Sequence, residues 1–188
     1  MKKVYDTEYY GKATYNEKLM IWKSITPIEI MFNEKICSLD FYIEDASPTI
    51  TEHKFKKANS TLEPNFMEMG QKRILRQKQL FDKYLKPQKD IMGLFKERII
   101  EDFMEIREDL IEDELYCIKH FGVEATKKIR IADTPEKIFD MIHFKELTLA
   151  VNQIRIIGKC DYYHHIDYGV SITDDGTIYA GSVEMIYC

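Results

Sequence analysis

Several familiar signals are missing from this chain of 188 residues. No apolar run approaches the roughly 20 residues that a membrane-spanning helix needs, so a membrane is not expected as a partner. The N-terminus turns polar too early for the apolar segment of a signal peptide, and a cytoplasmic location is therefore expected. Basic residues show no excess, because the formal net charge is −5, and this argues against a general nucleic-acid binder.

The common motifs of catalysis and cofactor binding are also absent. The sequence contains no GxSxG elbow, no GxGxxG loop, no P-loop and no HExxH pair. Cysteine is scarce, and no two cysteines are close enough to form a CxxC metal knuckle. We therefore expect a non-enzymatic protein without a cofactor. Its cysteines are expected to be buried free thiols: Cys37, Cys117, Cys160 and Cys188.

Apolar and aromatic residues, by contrast, are plentiful. Hydrophobic residues make up 45% of the chain, with 12 Tyr and 10 Phe, which is the composition of a folded protein and not of a disordered one. The length fits one domain. We predict a single α+β domain over residues 1–188, with N-terminal strands at 1–45, a helical segment at 49–122, and a short helix with a C-terminal β-meander at 127–188.

Apolar residues alternate with period two near the N-terminus, which is typical of strands with one buried face. A short strand is possible at 4–5. Three further runs, at 18–23, 28–32 and 36–43, predict a three-stranded antiparallel edge of a sheet. In the last run one face is formed by Cys37, Leu39, Phe41 and Ile43.

The spacing of apolar residues then changes to that of helices. It predicts a short helix at 49–58 and long helices at 66–85 and 91–120, with Gly122 as the C-cap. We expect the two long helices to form an antiparallel hairpin at 66–120. A short strand at 127–132 and a helix from Asp133 to about Ile142 are predicted to follow.

The first long helix is basic and the second is acidic. Acids of the second are Glu101, Asp102, Glu105, Glu108, Asp109, Glu112, Asp113 and Glu114. One interpretation is a pair of solvated outer faces that loosely complement each other. The other is a surface that binds a basic protein, where attraction raises the association rate more than the affinity. The candidate contacts for that partner are Glu101, Glu105, Glu108 and Glu112.

The C-terminal part reads as a β-meander at 154–159, 168–173 and 178–186. Asp174-Asp175-Gly176 lies between the last two runs and is a strong hairpin signal. The order of strands, helices and strands predicts an α+β fold. Its sheet should be mainly antiparallel, built from the N- and C-terminal strands, with the helical hairpin inserted between them.

The connection at 161–167 holds the densest polar cluster. Tyr and His are good interface anchors, so its central four residues are predicted to bind a partner: Tyr162, Tyr163, His164 and His165. The alternative is a small metal-assisted hydrolase whose ion is held by Asp161, His164, His165 and Asp167. Adjacent histidines on a strand point to opposite faces, so a shared metal requires a loop. A polar edge loop without a ligand is the third interpretation.

A set of short pieces in this region carries a resemblance. The pieces are Cys160, Tyr162-Tyr163, Asp167-Tyr168-Gly169, Val170-Ser171-Ile172, Asp175-Gly176 and Ala180-Gly181. In this pattern the chain resembles uncharacterised bacterial domains of unknown function, some associated with immunity proteins of polymorphic toxin systems. Tyr stands where those domains usually have Trp, and Asp167-Tyr168 where they have Glu-His. The resemblance implies a sheet here and, by association, an immunity protein that neutralises a toxin.

Overall fold

The computed structural model describes residues 4–7, 11–45, 63–86, 90–163 and 166–187, with side chains described for all of these except 7 and 63–70. The N-terminal strands are β1 (Val4–Thr7), β2 (Gly11–Asn16), β3 (Ile21–Ser24), β4 (Ile28–Phe32) and β5 (Lys35–Glu44). The helical segments that follow are α1 (Glu63–Leu80), a π-helical segment (Phe81–Leu85), α2 (Ile91–Glu112), α3 (Glu114–Phe121), α4 (Val123–Ile131) and α5 (Pro135–Phe139). The last elements are β6 (Ile142–Leu149), β7 (Gln153–Cys160), β8 (Tyr168–Thr173), β9 (Ile178–Ser182) and α6 (Val183–Ile186).

The strands form one large, mostly antiparallel sheet. Its order is β1-β2-β3-β5-β6-β7-β8-β9, and β4 pairs with β5 beside that path. The N- and C-terminal strands meet where β5 and β6 run parallel, with Phe41 opposite Leu147. Parallel neighbours need a long crossover, and the helical segment supplies it. The mixed class and the mainly antiparallel sheet are confirmed, whereas the parallel pair at their junction was not predicted.

Alternating side chains of the central strands build the core. On β5, Leu39, Phe41 and Ile43 are buried, as the period-two pattern predicts. They share one cluster with Phe95 and Ile99 of α2 and with apolar side chains of β6, β7 and β8. Full burial of such a side chain contributes about 1.5–3 kcal/mol, so this cluster is what fixes α2 against the sheet.

The predicted helix at 91–120 is in fact two helices. Asp90 caps α2, because its Oδ1 accepts a hydrogen bond from the Gly93 N–H across 2.9 Å. At Asp113 the backbone leaves helical geometry, and the carboxylate accepts from the Tyr116 N–H across 2.8 Å. Asp113 therefore ends α2 and starts α3. Gly122, with φ 85°, ends α3 as predicted.

Other boundaries differ from the prediction. Residues 127–132 fall mostly in α4 and are not a strand, and the last strand stops at Ser182, directly before α6 begins at Val183. Among the described residues, α2 contacts β9 more than any other element, whereas α1 packs on β7, so the hairpin of long helices is not confirmed. The predicted helix at 49–58 lies outside the described residues.

Among the described helices, none combines the length and apolar character needed to cross a membrane.

Candidate functional site

The outer side of α2 carries a stripe of four acidic side chains, which we call the acidic stripe: Glu101, Glu105, Glu108 and Glu112. Their spacing of four, three and four residues places them above one another on one side of a helix. All four are exposed. The opposite side of the helix is buried in the core, with Phe95, Ile99 and Phe103 at 0% exposure. Packing of α2 therefore directs the acidic stripe outward.

Within the stripe, one cation offsets part of the charge. Nη1 of Arg98 lies 3.0 Å from Glu101 and 3.4 Å from Glu105, in pairs that are exposed to solvent. Exposed ion pairs of this kind contribute only about 0–1 kcal/mol. Glu108 and Glu112 form no ion pair with any residue that the structure describes. Within the described part of the chain, the negative charge of the C-terminal half of the stripe is therefore not offset by an ion pair.

Three other acids of this region have structural roles. Asp102 is 6% exposed, and its Oδ1 accepts a hydrogen bond from the Tyr163 hydroxyl across 3.0 Å. Asp113 caps α3, and Glu114 pairs with Arg130 at 2.8 Å. Burial raises the pKa of Asp102. The eight acids are thus not one solvated face, and the acidic stripe is smaller than the sequence composition indicates.

The two tyrosines of the 161–167 connection lie largely in the core. Tyr162 is 2% exposed, and its ring centroid is 5.0 Å from that of Phe103 and 5.6 Å from that of Tyr168. Tyr163 is half-buried beside Asp102. Burial raises the pKa of both phenols. The ring of Tyr162 therefore has almost no free surface for a partner, and its role as an anchor stays a prediction.

The acids proposed for a metal are already paired with lysines. Asp161 lies 2.7 Å from Nζ of Lys128, and Asp167 lies 2.5 Å from Nζ of Lys159. His164 and His165 are outside the described residues, so their predicted roles stay predictions. Over the part of the chain with described coordinates, no group of three or more His, Cys, Asp and Glu side chains could hold a metal ion.

The thiols are free where the structure describes them. Cys117 and Cys160 are buried, as predicted, whereas Cys37 is only half-buried. Cys188 lies outside the described residues. Burial raises the pKa of Cys160 and, to a lesser extent, of Cys117, which keeps both as protonated thiols at neutral pH.

One further region was missed by the sequence interpretation. The sheet has a cleft of about 540 Å³ whose polar lining comes from Tyr42, Glu44, Glu146, Thr148, Arg155 and Tyr187. A signal for it was available, because polar residues alternate with core residues on three adjacent strands. Without the strand order, however, nothing showed that these positions lie side by side.

Comparisons with known proteins found no match: no family model fits the chain, and neither the curated proteins nor the solved structures include one significantly similar to it.

Proposed function

We propose that this protein is a non-enzymatic, cytoplasmic binding protein that recognises a basic protein surface through the acidic stripe, and that its partner is a bacterial toxin that it neutralises. The observation that carries the proposal is the outward direction of four glutamates from a helix whose other side is buried. A helix held in this way needs little reorganisation on binding, which lowers the free-energy cost of association.

Charge complementarity supplies the mechanism. A nuclease-type toxin has a basic surface that binds nucleic-acid phosphates. The glutamates of the acidic stripe would bind to that surface in place of the phosphates. Close charge pairs at an interface can have coupling energies of about 1.5–7 kcal/mol, whereas charges at the rim mainly alter the association rate. Leu94 and Met104 are 43% and 48% exposed on the outer side of α2, and they could add apolar contact beside the charges.

The toxin part of the proposal has a separate support. It rests on the resemblance of the C-terminal meander to domains that are associated with immunity proteins, and not on the geometry of α2. A basic partner that is not a toxin would leave the binding role of the acidic stripe intact.

The alternative is a metal-assisted hydrolase built on Asp161, His164, His165 and Asp167. That function would require Asp161 and Asp167 to exchange Lys128 and Lys159 for a metal ion. No contact among the described residues favours this exchange. Stoichiometric zinc in the purified protein that is lost in the His164→Ala variant would favour the hydrolase over the binding protein.

The test is a change of all four glutamates of the acidic stripe to Gln, with binding measured by calorimetry against the protein encoded by the neighbouring gene. At low salt we expect the affinity to fall at least tenfold. We also expect the variant to show a weaker salt dependence than the original protein, because fewer charges are screened.

A matched control removes the same number of charges elsewhere. Its exposed positions lie outside α2 and are changed to Gln together: Glu17, Glu29, Glu124 and Glu136. The control should bind almost as well as the original protein. Equal losses of affinity in the two variants would mean that only the net charge matters. If the stripe variant loses no affinity at either salt concentration, the acidic stripe does not bind the partner.

A further inference from the structure

The cleft on the sheet lies on the face opposite to the buried side chains of β5. Tyr42 pairs across strands with Thr148, and Thr148 pairs with Arg155, so these three form one row over β5, β6 and β7. Their neighbours Phe41 and Leu147 belong to the core. Because side chains alternate along a strand, the row points away from the core.

The cleft has a polar floor and an apolar rim. Thr148 lines it while being only 5% exposed, and its hydroxyl makes no hydrogen bond with any residue that the structure describes. Tyr187, just after α6, forms one side. The opposite rim is apolar and consists of residues 19–21, of which Leu19 is 71% exposed. The volume of about 540 Å³ is within the usual range of small-molecule sites.

Two opposite charges line this cleft, and neither forms an ion pair with a residue that the structure describes. The Arg155 guanidinium carbon lies 4.5 Å from the ring centroid of Tyr187, and its Nε is buried without a hydrogen-bond partner. Glu146 is half-buried and, like Arg155, takes part in no ion pair within the described ranges. Burial, and then the nearby carboxylates of Asp167 and Asp40, raise the pKa of Glu146, and the positive charges of Lys23 and Arg155 lower it by a smaller amount. Each charge is therefore partly desolvated, and no described residue supplies a counter-ion at hydrogen-bonding distance.

The two charges are diagonal neighbours on adjacent strands. Arg155 lies opposite Thr148, and Glu146 is two residues before Thr148 on the same face. Diagonal neighbours of this kind have Cα atoms about 7–8 Å apart. The third charged group of the cleft, Glu44, already has a hydrogen-bond partner, because its Oε2 accepts a hydrogen bond from the Val151 N–H across 2.9 Å.

We propose that this cleft binds a free α-amino acid with an apolar side chain. The carboxylate of the ligand would pair with Arg155, whose planar guanidinium suits a carboxylate. Its ammonium would pair with Glu146 and donate to the Thr148 hydroxyl, and its side chain would contact residues 19–21. An amine alone would leave Arg155 unpaired, and a carboxylic acid alone would leave Glu146 unpaired. Only a ligand with both charges satisfies both groups.

Calorimetry with three related probes tests this inference. L-leucine carries both charges, 3-methylbutylamine lacks the carboxylate, and 4-methylpentanoate lacks the amine. We expect saturable binding of L-leucine and at least tenfold weaker binding of each of the other two. The inference is overturned if either single-charge compound binds as tightly as L-leucine, or if L-leucine does not saturate at millimolar concentration.

Two variants then locate the site. Glu146→Gln and Arg155→Gln should each weaken L-leucine binding at least tenfold, and circular dichroism checks that both are folded. Charge-matched controls away from the cleft are Glu136→Gln and Lys119→Gln, which should bind as the original protein does. Unchanged binding in both cleft variants would place the ligand elsewhere and overturn the assignment. Because the acidic stripe is on another surface, neither result bears on the proposed protein partner.

Discussion

The hydroxyl of Tyr163 donates a hydrogen bond to Oδ1 of Asp102 across 3.0 Å and thereby joins the connection after β7 to α2. The other carboxylate oxygen, Oδ2, is buried and has no partner among the described residues. The hydroxyls of Tyr162 and Tyr168 are likewise buried without a partner. Burial raises the pKa of Asp102, and the hydrogen bond from Tyr163 lowers it by a smaller amount.

Replacing Asp102 by Asn should change how stability depends on pH. A carboxyl whose pKa is raised in the folded state binds its proton more tightly there, so its contribution to stability is full at low pH and is lost as pH rises through the raised value. Asn has no proton to lose and can still accept from Tyr163. We therefore expect Asp102→Asn to gain stability relative to the original protein as pH rises, as measured by urea unfolding across the acid to neutral range.

The matching control is Asp109→Asn, which removes a charge from an exposed position of the same helix. A stability difference between Asp102→Asn and the original protein that stays constant over the whole pH range would contradict the raised pKa of the buried carboxyl.

Replacing Tyr163 by Phe removes the hydrogen-bond donor and leaves the ring in place. Both oxygens of the Asp102 carboxyl would then lack a partner in a buried site, and an unsatisfied buried group costs about 1–3 kcal/mol. We expect the free energy of unfolding at neutral pH to fall by about that amount. In Asp102→Ala, which has no acceptor for the Tyr163 hydroxyl, the same Tyr163→Phe change should cost less, and equal costs in the two backgrounds would show that the pair is not coupled.

The position of Asp102 could have been predicted from the sequence. It lies three residues after Ile99 and next to Phe103, two apolar residues at the helical spacing that predicts the helix at 91–120. Helical spacing therefore puts Asp102 at the edge of the buried side. The acidic composition of the helix, by contrast, suggested that all of its acids lie on one solvated face. The period-two patterns of β4 and β5 were likewise sufficient to predict those strands.

The remaining features depend on contacts that are distant in sequence. The parallel pairing of β5 with β6 joins strands separated by the whole helical segment, and no local pattern encodes that register. The cleft depends on it directly, because Tyr42 and Thr148 become neighbours only through this pairing. Asp113 is another case: an Asp within an acidic helix looks like a solvated side chain, and its role as a cap appears only from the backbone geometry.

Gly158 of β7 lies opposite Phe144, beside a register shift between Phe144 and Glu146 in β6. A Cβ at this position would lie 2.1 Å from the carbonyl oxygen of His143 and 2.6 Å from the Cα of Phe144. These are backbone atoms, which cannot move aside without disturbing the central strands. We expect Gly158→Ala to lower the free energy of unfolding by at least about 1–3 kcal/mol, as measured by urea denaturation.

A suitable comparison is Lys159→Ala at the next residue of the same strand. That change removes an exposed ion pair with Asp167 and should cost only about 0–1 kcal/mol. Similar costs for the two substitutions would indicate that β6 can shift away from β7, and the close approach at Gly158 would then not be a requirement of the fold.

The carboxyl group of Asp175, in the turn between β8 and β9, should contribute to stability with the opposite pH dependence from that of Asp102. Asp175 accepts hydrogen bonds from the Thr173 hydroxyl and from the Thr177 N–H, the latter across 3.0 Å. These bonds lower the pKa of Asp175 to about 2. A lowered value means that the stabilisation is present above the unfolded pKa of about 3.9 and is lost as pH falls toward 2.

We therefore expect Asp175→Asn to be less stable than the original protein at neutral pH and to approach it in stability as pH falls from about 5 to about 2. Thr173→Ala removes one donor to the same carboxylate and should reduce this pH dependence without abolishing it, because the Thr177 N–H remains. Thermal unfolding followed by circular dichroism at a series of acid pH values measures both. A stability gap that stays constant down to pH 2 would mean that these hydrogen bonds stabilise the turn without favouring the ionised form of Asp175.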